Sequence, residues 1–249
     1  MTFLDAPPLG FAHRGGAAVG DENTTAAFAR AVELGYRYIE TDTHATADGV
    51  AVVFHDDHLD RLLGRPGTIR DLRWADLATL RVGGAGTVPR LDDILDAWPD
   101  TRFNIDVKSD DAVEPTLATI RRHHAEHRVL LASFSDRRLA RIRRTTGPTI
   151  ANSLGMREVA TLWTGLMGRG RPVPAGAVAA QVPPRHGRLR IVTPRFIAHA
   201  HRLGLQVHVW TIDDADQMRY FLDLGVDGIM TDRIEVLREV YRERGHWAD

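Results

Sequence analysis

Short apolar runs, most of them rich in β-branched or aromatic residues, alternate along the chain with longer amphipathic segments. The short runs predict nine strands, in chain order Leu9–His13, Tyr36–Asp42, Val50–His55, Arg102–Lys108, Val129–Phe134, Thr149–Ser153, Ala177–Val182, Gln206–Thr211 and Asp227–Thr231. The amphipathic segments predict helices at Thr24–Leu34, Asp92–Trp98, Glu114–His123, Asp136–Thr145, Pro194–Leu203, Asp214–Leu224 and Ile234–Arg244. Strands and helices in alternation are typical of a parallel sheet with helical crossovers. We therefore expect an α/β fold, a (β/α)8 barrel of the TIM type.

Nine predicted strands are one more than a barrel of eight requires. The run Ala177–Val182 lies in a Pro- and Gly-rich stretch between Gly165 and Gly187, which favours a long loop over a barrel strand. A second difficulty is the connection Thr43–Gly49, which is too short for the helix that joins two parallel strands. Either an extended return replaces that helix, or the second and third strands pair antiparallel.

The whole chain, residues 1–249, is expected to form one domain, because no shift in composition marks a boundary. The rhythm of strands and helices is interrupted only between Asp57 and Arg90. Residues 57–90 are therefore predicted to form a small insertion after the third strand.

Charge and composition narrow the classes of function. The chain has 32 Lys and Arg against 33 Asp and Glu, a net charge of -1, which disfavours nucleic acid as a partner. It has no cysteine, which excludes disulfides, zinc–thiolate sites and a cysteine nucleophile. No run approaches the roughly 20 apolar residues of a transmembrane helix. The first ten residues lack the features of a signal peptide, so a cytoplasmic location is expected. No feature predicts an oligomeric state.

Reactive side chains gather where the predicted strands end. They are His13 and Arg14, Glu40 and Asp42, His55 and Asp56, Asp106 and Lys108, Trp210 and Asp213, and Asp232. In a parallel barrel the carboxyl ends of all strands meet at one rim, where barrel enzymes hold their active sites. The clustering predicts one site at that rim.

Three carboxylates are candidate metal ligands. Glu40 and Asp42 are two residues apart on a strand and therefore point the same way, and Asp106 ends a further strand. Oxygen ligands without thiolates suit Mg²⁺ or Ca²⁺, and the sequence favours neither ion over the other. Taken alone, Glu40 and Asp42 are equally compatible with solvated acids at a strand end.

His13 and His55 are the candidate acid and base. Cleavage of a phosphodiester needs a proton taken from the attacking hydroxyl and another given to the leaving oxygen, and imidazole titrates near neutral pH. Arg14 and Lys108 are nearby cations for a phosphate. The alternative for these two cations is an ion pair with neighbouring acids.

In order along the chain, these pieces resemble the signature of the glycerophosphodiester phosphodiesterase family. The matching motifs are His13-Arg14-Gly15-Gly16, Glu22-Asn23-Thr24, Glu40-Thr41-Asp42, Asp48-Gly49 with Val52-Val53-Phe54-His55-Asp56, Asn104-Ile105-Asp106-Val107-Lys108, Val209-Trp210-Thr211, and Gly225 to Asp232. Seven short motifs in the right order over most of the chain make coincidence implausible.

The resemblance implies a barrel enzyme that hydrolyses a small-molecule glycerophosphodiester to glycerol 3-phosphate and an alcohol. It implies these roles: general acid and base for His13 and His55; metal ligands for Glu40, Asp42 and Asp106; phosphate contacts for Arg14 and Lys108; a pocket wall for Trp210; and support for Glu22 and Asn23. The insertion 57–90 would cap the site.

Three residues depart from the family pattern. Asp21 stands where Pro is usual, Asp106 replaces the more usual Glu, and Asp213 replaces a common Asn. The shorter Asp106 side chain implies either a metal that lies closer to its strand or a bridging water.

Other functions remain open at this point. A phospholipase D-like enzyme acting on lysolipid or sphingolipid head groups would need an apolar surface at the rim, for which Trp163–Met167 and Ala175–Val182 are candidates. A non-catalytic phosphate-binding barrel would tolerate loss of the histidines or acids, and all are present. An amidohydrolase-type barrel predicts His-x-His at the first strand end, where this chain has His13-Arg14.

Overall fold

The computed structural model describes residues 3–17, 20–82 and 86–247. Its strands are β1 Leu9–Ala12, β2 Tyr38–Ala45, β3 Ala51–Val53, β4 Arg81–Val82, β5 Gly86–Thr87, β6 Arg102–Val107, β7 Val129–Ala132, β8 Ala151–Ser153, β9 Ala177–Val182, β10 Arg185–His186, β11 Leu189–Arg190, β12 Gln206–Val209 and β13 Gly228–Thr231. Its helices are α1 Thr25–Glu33, α2 Asp60–Leu63, α3 Trp74–Leu77, α4 Leu91–Ala97, α5 Val113–Arg122, α6 Asp136–Thr146, α7 Met156–Trp163, α8 Pro194–Arg202, α9 Ala215–Leu224 and α10 Ile234–Glu243.

Eight parallel strands close into a barrel. Around the barrel they follow the order β1, β13, β12, β9, β8, β7, β6 and β2. The pairing of β1 with β2, at Phe11 with Tyr38 and Ala12 with Ile39, completes the ring. The expected (β/α)8 barrel is confirmed.

The prediction of a loop at Ala177–Val182 was wrong. This run is β9, a barrel strand that pairs in parallel with β8 on one side and β12 on the other. The Pro and Gly residues that suggested a loop lie on either side of the strand. Its small residues Ala179 and Ala180 are fully buried, because neighbouring strands and helices pack closely against them. Composition averaged over the flanks concealed a short strand of small residues.

Of the nine predicted strands, only the third, β3, lies outside the barrel. β3 pairs antiparallel with the far end of β2, from Thr43 opposite Val53 to Ala45 opposite Ala51. The short connection therefore reflects an antiparallel hairpin, one of the two alternatives open from the sequence. β2 extends past the rim, and β3 returns the chain to it.

Two hydrophobic clusters position the rim. The main core lies between the barrel and its helices and includes the fully buried Phe28, Ile39 and Phe103. A second cluster joins β3 to residues 57–90 and consists of Val52, Phe54, Leu59, Ile69, Leu77, Val82 and Val88. This cluster fixes the segment that follows β3 beside the barrel mouth. Within the described residues, no helix is both long and apolar enough to span a bilayer.

Candidate active site

A pocket of about 570 Å³ opens at the carboxyl ends of the barrel strands. Eight of the ten predicted site residues line it: His13, Arg14, Glu40, Asp42, His55, Asp106, Lys108 and Trp210. Glu22 and Asn23 lie behind this lining. Asn23 Nδ2 donates to Asp42 Oδ2 at 2.8 Å, and Arg14 Nη1 lies 2.8 Å from Glu22 Oε1.

The three predicted metal ligands converge because of strand register. Asp42 on β2 lies directly opposite Asp106 on β6, and Glu40 lies two residues earlier on β2, facing the same way. All three side chains are buried. Glu40 and Asp42, two residues apart on β2, therefore face the same side, as expected from the sequence.

Lys108 lies between two of these carboxylates. Its Nζ is 2.8 Å from Asp42 Oδ1 and 2.7 Å from Asp106 Oδ2. Burial alone would lower the pKa of Lys108, and the two carboxylates outweigh it and raise that pKa. Burial likewise opposes ionisation of Asp42, but the charges of Lys108, His55 and Arg14 hold its pKa below the ordinary value. In the described residues, no three His, Asp or Glu side chains are arranged as a ready metal site.

The donor set nevertheless fits a divalent cation. Asp106 Oδ1 is buried and accepts no hydrogen bond, which leaves a free oxygen ligand on the pocket wall. Burial, followed by the negative charge of Asp42, raises the pKa of Glu40 to about 7. Both features indicate a site that is short of positive charge. A metal bound here would replace contacts that Lys108 makes with Asp42 and Asp106.

His13 is oriented by the last barrel strand. It lies in the short turn after β1, and its Nδ1 is 2.7 Å from Asp232 Oδ1, just after β13. Its Nε2 is 3.7 Å from Glu40 Oε2. Burial would lower the pKa of His13, but Glu40 and Asp232 outweigh it, so the pKa lies above the ordinary value. The turn needs Gly15, whose φ is +84° and whose added Cβ would lie 2.4 Å from Phe28.

His55 also has an aspartate partner, but this pair lies on the segment after β3 and not on a strand of the barrel. Its Nδ1 is 2.6 Å from Asp56 Oδ1, and Arg61 binds the same carboxylate, with Nε 2.6 Å from Oδ2. The hydrogen bond from Arg61, followed by that from His55, lowers the pKa of Asp56 to about 2. His55 reaches the rim because antiparallel β3 runs back toward it. The sequence placed His55 at the rim as the end of a predicted strand, and His55 does line the pocket, but β3 is not a parallel strand of the barrel.

Three acids hold the two imidazoles in position. The sequence placed these acids at the rim but gave them no role. Asp56 and Asp232 each bind one imidazole. Asp213 Oδ1 accepts from the Thr231 hydroxyl at 2.9 Å and from the Asp232 backbone N–H at 2.8 Å, which fixes the turn that carries Asp232. The position of Asp56 and Asp232 directly after a predicted strand is the signal that could have indicated this role.

The other half of the pocket is apolar. Trp210 packs edge to face on Phe134, with ring centroids 5.6 Å apart, and Lys108 Nζ lies 5.6 Å from the centre of the Phe134 ring. Further apolar lining comes from Leu154, Met156, Val159, Trp163, Leu189 and Ile191. A cluster of charged residues and an apolar wall therefore share one cavity.

Comparisons with known proteins agree with this architecture. The model of the glycerophosphoryl diester phosphodiesterase family matches residues 13–236. A Mycobacterium tuberculosis protein named "Probable glycerophosphodiester phosphodiesterase 2" is 40% identical over 249 residues, covering 96% of this chain and 92% of the relative. Human "Lysophospholipase D GDPD1" is 26% identical over 264 residues, covering 91% and 84%.

A solved structure extends the agreement to three dimensions. The crystal structure of glycerophosphodiester phosphodiesterase from Agrobacterium tumefaciens is 26% identical, with a TM-score of 0.79 and coverage of 97% of this chain and 100% of that one. The resemblance seen in the sequence motifs is confirmed, and the non-catalytic alternative is set aside. The chain belongs to the glycerophosphoryl diester phosphodiesterase family and is an enzyme that hydrolyses glycerophosphodiesters.

Proposed function

We propose that this enzyme releases glycerol 3-phosphate and an alcohol by metal-dependent hydrolysis, with His13 and His55 as general acid and base. The observation that carries the proposal is that both histidines face one pocket and each is held through Nδ1 by an aspartate. An aspartate on Nδ1 selects the tautomer in which Nε2 is directed to the substrate, and it stabilises the imidazolium. The two rings then serve opposite sides of the phosphorus.

Glu40, Asp42 and Asp106 would hold Mg²⁺ or Ca²⁺. A bound divalent ion neutralises charge that develops on the phosphate oxygens. Arg14 and Lys108 bind the same phosphate. Arg14 Nε is buried without a hydrogen-bond partner, and a phosphate oxygen would satisfy this donor. Glu22 and Asn23 keep Arg14 and Asp42 in position, and Trp210 forms the wall beside the alcohol.

We further propose that residues 1–249 act as one domain in which the insertion 57–90 completes the site. Its residue Arg61 binds Asp56 through Nε and Glu22 through Nη1, the latter 2.7 Å from Oε2. Arg61 thereby joins the insertion to both the His55 side and the Arg14 side of the pocket.

A second candidate, a lysophospholipase D-type activity, is favoured by the apolar pocket wall. A lysophospholipid has the same glycerol–phosphate–alcohol core with one acyl chain added, and Leu154, Val159 and Ile191 offer that chain an apolar surface. The human relative named above carries this activity in its name.

One experiment tests both candidates. Soluble glycerophosphodiesters and matched lysophospholipids are supplied with and without a chelator, and the phosphate-bearing product and the released alcohol are both measured. We expect chelation to abolish turnover and Mg²⁺ or Ca²⁺ to restore it, because three clustered carboxylates repel the phosphate. Full activity in excess chelator, with retained metal excluded by elemental analysis, contradicts the metal proposal.

Variants at position 106 test the ligand set. Asp106→Ala should lose metal affinity and turnover, whereas Asp106→Glu should retain both because it keeps a carboxylate on the pocket wall. Unchanged metal affinity in Asp106→Ala would place the third ligand elsewhere.

A further inference from the structure

One part of the chain has a charge balance unlike the rest. Residues 159–212 contain seven Arg and no Asp or Glu, whereas the remaining residues contain 25 Lys and Arg against 33 Asp and Glu. This stretch includes β9, the short β10–β11 hairpin and α8. A net charge near zero for the whole chain therefore conceals a strongly basic region.

The hairpin carries the basic residues at the barrel rim. It follows the carboxyl end of β9, and its residues His186 and Leu189 line the pocket. Its three arginines, Arg185, Arg188 and Arg190, are exposed. None of them forms an ion pair with an acid in the part of the chain that the structure describes. Some exposed arginines elsewhere are paired, as Arg61 is with Glu22 at 2.7 Å.

Large apolar side chains are exposed beside these arginines. Phe134 is 56% exposed, Met156 54%, Leu189 45% and Trp163 37%, and all four line the mouth of the pocket. They are four of the six large hydrophobic side chains that are exposed among the described residues. Trp163 is tied to the hairpin by a hydrogen bond from Nε1 to the Arg190 carbonyl oxygen at 3.2 Å. A clustered apolar patch of this kind marks an interaction site.

We propose that the docking face, defined as Phe134, Met156, Trp163, Leu189 and the three hairpin arginines, binds the surface of an anionic phospholipid bilayer. Tryptophan and leucine insert at the boundary between head groups and acyl chains, and arginine binds lipid phosphates beside them. An acidic protein partner would account for the arginines but not for the exposed apolar side chains. A lipid surface accounts for both, because the apolar side chains around the mouth are continuous with an apolar pocket wall. The face lies flat on the bilayer, and the barrel mouth opens toward it.

Vesicle binding tests the proposal without relying on catalysis. The full chain is sedimented with vesicles of equimolar phosphatidylcholine and phosphatidylglycerol, and with vesicles of phosphatidylcholine alone. We expect binding to the anionic vesicles only, weakened by added salt. The variant Arg185→Gln/Arg188→Gln/Arg190→Gln should bind about 100-fold more weakly, since each arginine near an anionic surface contributes about fivefold. Its turnover of a soluble glycerophosphodiester should be unchanged.

A matched variant controls for loss of charge. Arg121, Arg144 and Arg202 are exposed near the carboxyl ends of α5, α6 and α8, at the opposite end of the barrel. Changing these three to Gln removes the same charge and should leave vesicle binding within about twofold of the parent chain. An equal loss of binding in the two triple variants overturns the proposal, because the attraction would then be non-specific.

Tryptophan fluorescence tests insertion of the apolar residues. Anionic vesicles should shift the emission of the parent chain to the blue, and Trp163→Phe should lose most of that shift while remaining bound. Absence of any shift overturns insertion. A protein that sediments as a dimer, and becomes monomeric only in the hairpin variant, also overturns the proposal, since a second copy would then cover the face.

Discussion

The two histidine–aspartate pairs at the rim have similar geometry, but different parts of the chain hold them in place. His13 and Asp232 are 219 positions apart and follow β1 and β13, which are neighbouring strands of the closed barrel. His55 and Asp56 are adjacent in sequence, on a segment that an antiparallel strand outside the barrel returns to the rim. Closure of the barrel therefore builds the first pair, whereas local contacts build the second.

The exposure of the two histidines, though not that of their aspartates, follows the same division. The His13 side chain is 15% exposed and that of His55 is 32% exposed. Arg61, which holds Asp56, is itself 48% exposed. The His55 side of the site therefore depends on a residue that water can reach.

The largest predicted effect comes from removing the imidazoles. His13→Ala and His55→Ala should each lower turnover of an alkyl glycerophosphodiester by about 10²- to 10⁴-fold. On a p-nitrophenyl phosphodiester, whose leaving group needs little protonation, the variant that lacks the general acid should be largely rescued. The variant that lacks the base should not. Turnover is measured on both substrates after folding and metal content are verified.

Equal rescue of both variants would contradict a division of labour between the two histidines. A loss below tenfold for both on the alkyl substrate would contradict the acid/base assignment altogether.

Removing the orienting carboxylates should have a smaller effect. Asp232→Asn and Asp56→Asn should each lower kcat by about 10- to 100-fold, because the imidazole remains but its tautomer is no longer fixed. Asp56→Asn should also loosen the insertion, since Arg61 loses a partner. Limited proteolysis within residues 57–90 should therefore be faster in Asp56→Asn than in Asp232→Asn. Equal rates would show that the insertion does not depend on this ion pair.

The sequence identified the residues of the rim better than the way they are arranged. Strand periodicity and the spacing of Glu40 and Asp42 were sufficient for the barrel and for the converging acids, because both depend on local geometry. The position of Lys108 between Asp42 and Asp106 depends on which strands become neighbours, and periodicity does not contain that information. The pairing of His13 with Asp232 likewise requires the barrel to close.

The error at Ala177–Val182 has a related cause. A strand of small residues has a weak apolar signal, and its Pro- and Gly-rich flanks dominate any averaging window. Only the two neighbours of this strand in the barrel, β8 and β12, make it recognisable. Its place matters for the site, because Gln181 on this strand lines the pocket.

A third histidine, His208, sharpens the comparison because it is fully buried and no carboxylate of the described residues faces it. Its Nε2 donates to Gln206 Oε1 at 2.9 Å, and Gln181 Nε2 lies 3.3 Å from its Nδ1. Burial lowers its pKa to about 3, opposite in direction to the shift of His13. Between about pH 3 and pH 6.5, His208 therefore binds fewer protons in the folded protein than in the unfolded chain. The contribution of the neutral His208 side chain to stability is complete above about pH 6.5 and is lost as the pH falls toward 3.

His208→Gln should remove that pH dependence. The difference in free energy of unfolding between the parent and this variant should shrink by roughly 1.4 kcal/mol per pH unit below about pH 6, on the order of 2 kcal/mol in total by pH 4.5. Denaturant unfolding at several pH values measures it. His127→Gln, at an exposed position, provides the control and should give a curve parallel to that of the parent. A constant difference for His208→Gln would mean that this imidazole is not held neutral.

The smallest predicted effect isolates the support of the His55 pair. Arg61→Gln keeps His55 and Asp56 but removes the cation that fixes the carboxylate, so kcat should fall by about three- to tenfold, with little change in metal affinity. Arg65→Gln, another exposed arginine of the insertion, should leave kcat unchanged. The double variant Arg61→Gln/Asp56→Asn should have nearly the same kcat as Asp56→Asn alone, because Arg61 acts through Asp56. His13 does not depend on Arg61, so the effects of Arg61→Gln and Asp232→Asn on kcat should multiply. If the Arg61 and Asp56 substitutions instead multiply their effects, Arg61 acts through Glu22 and not through the His55 pair.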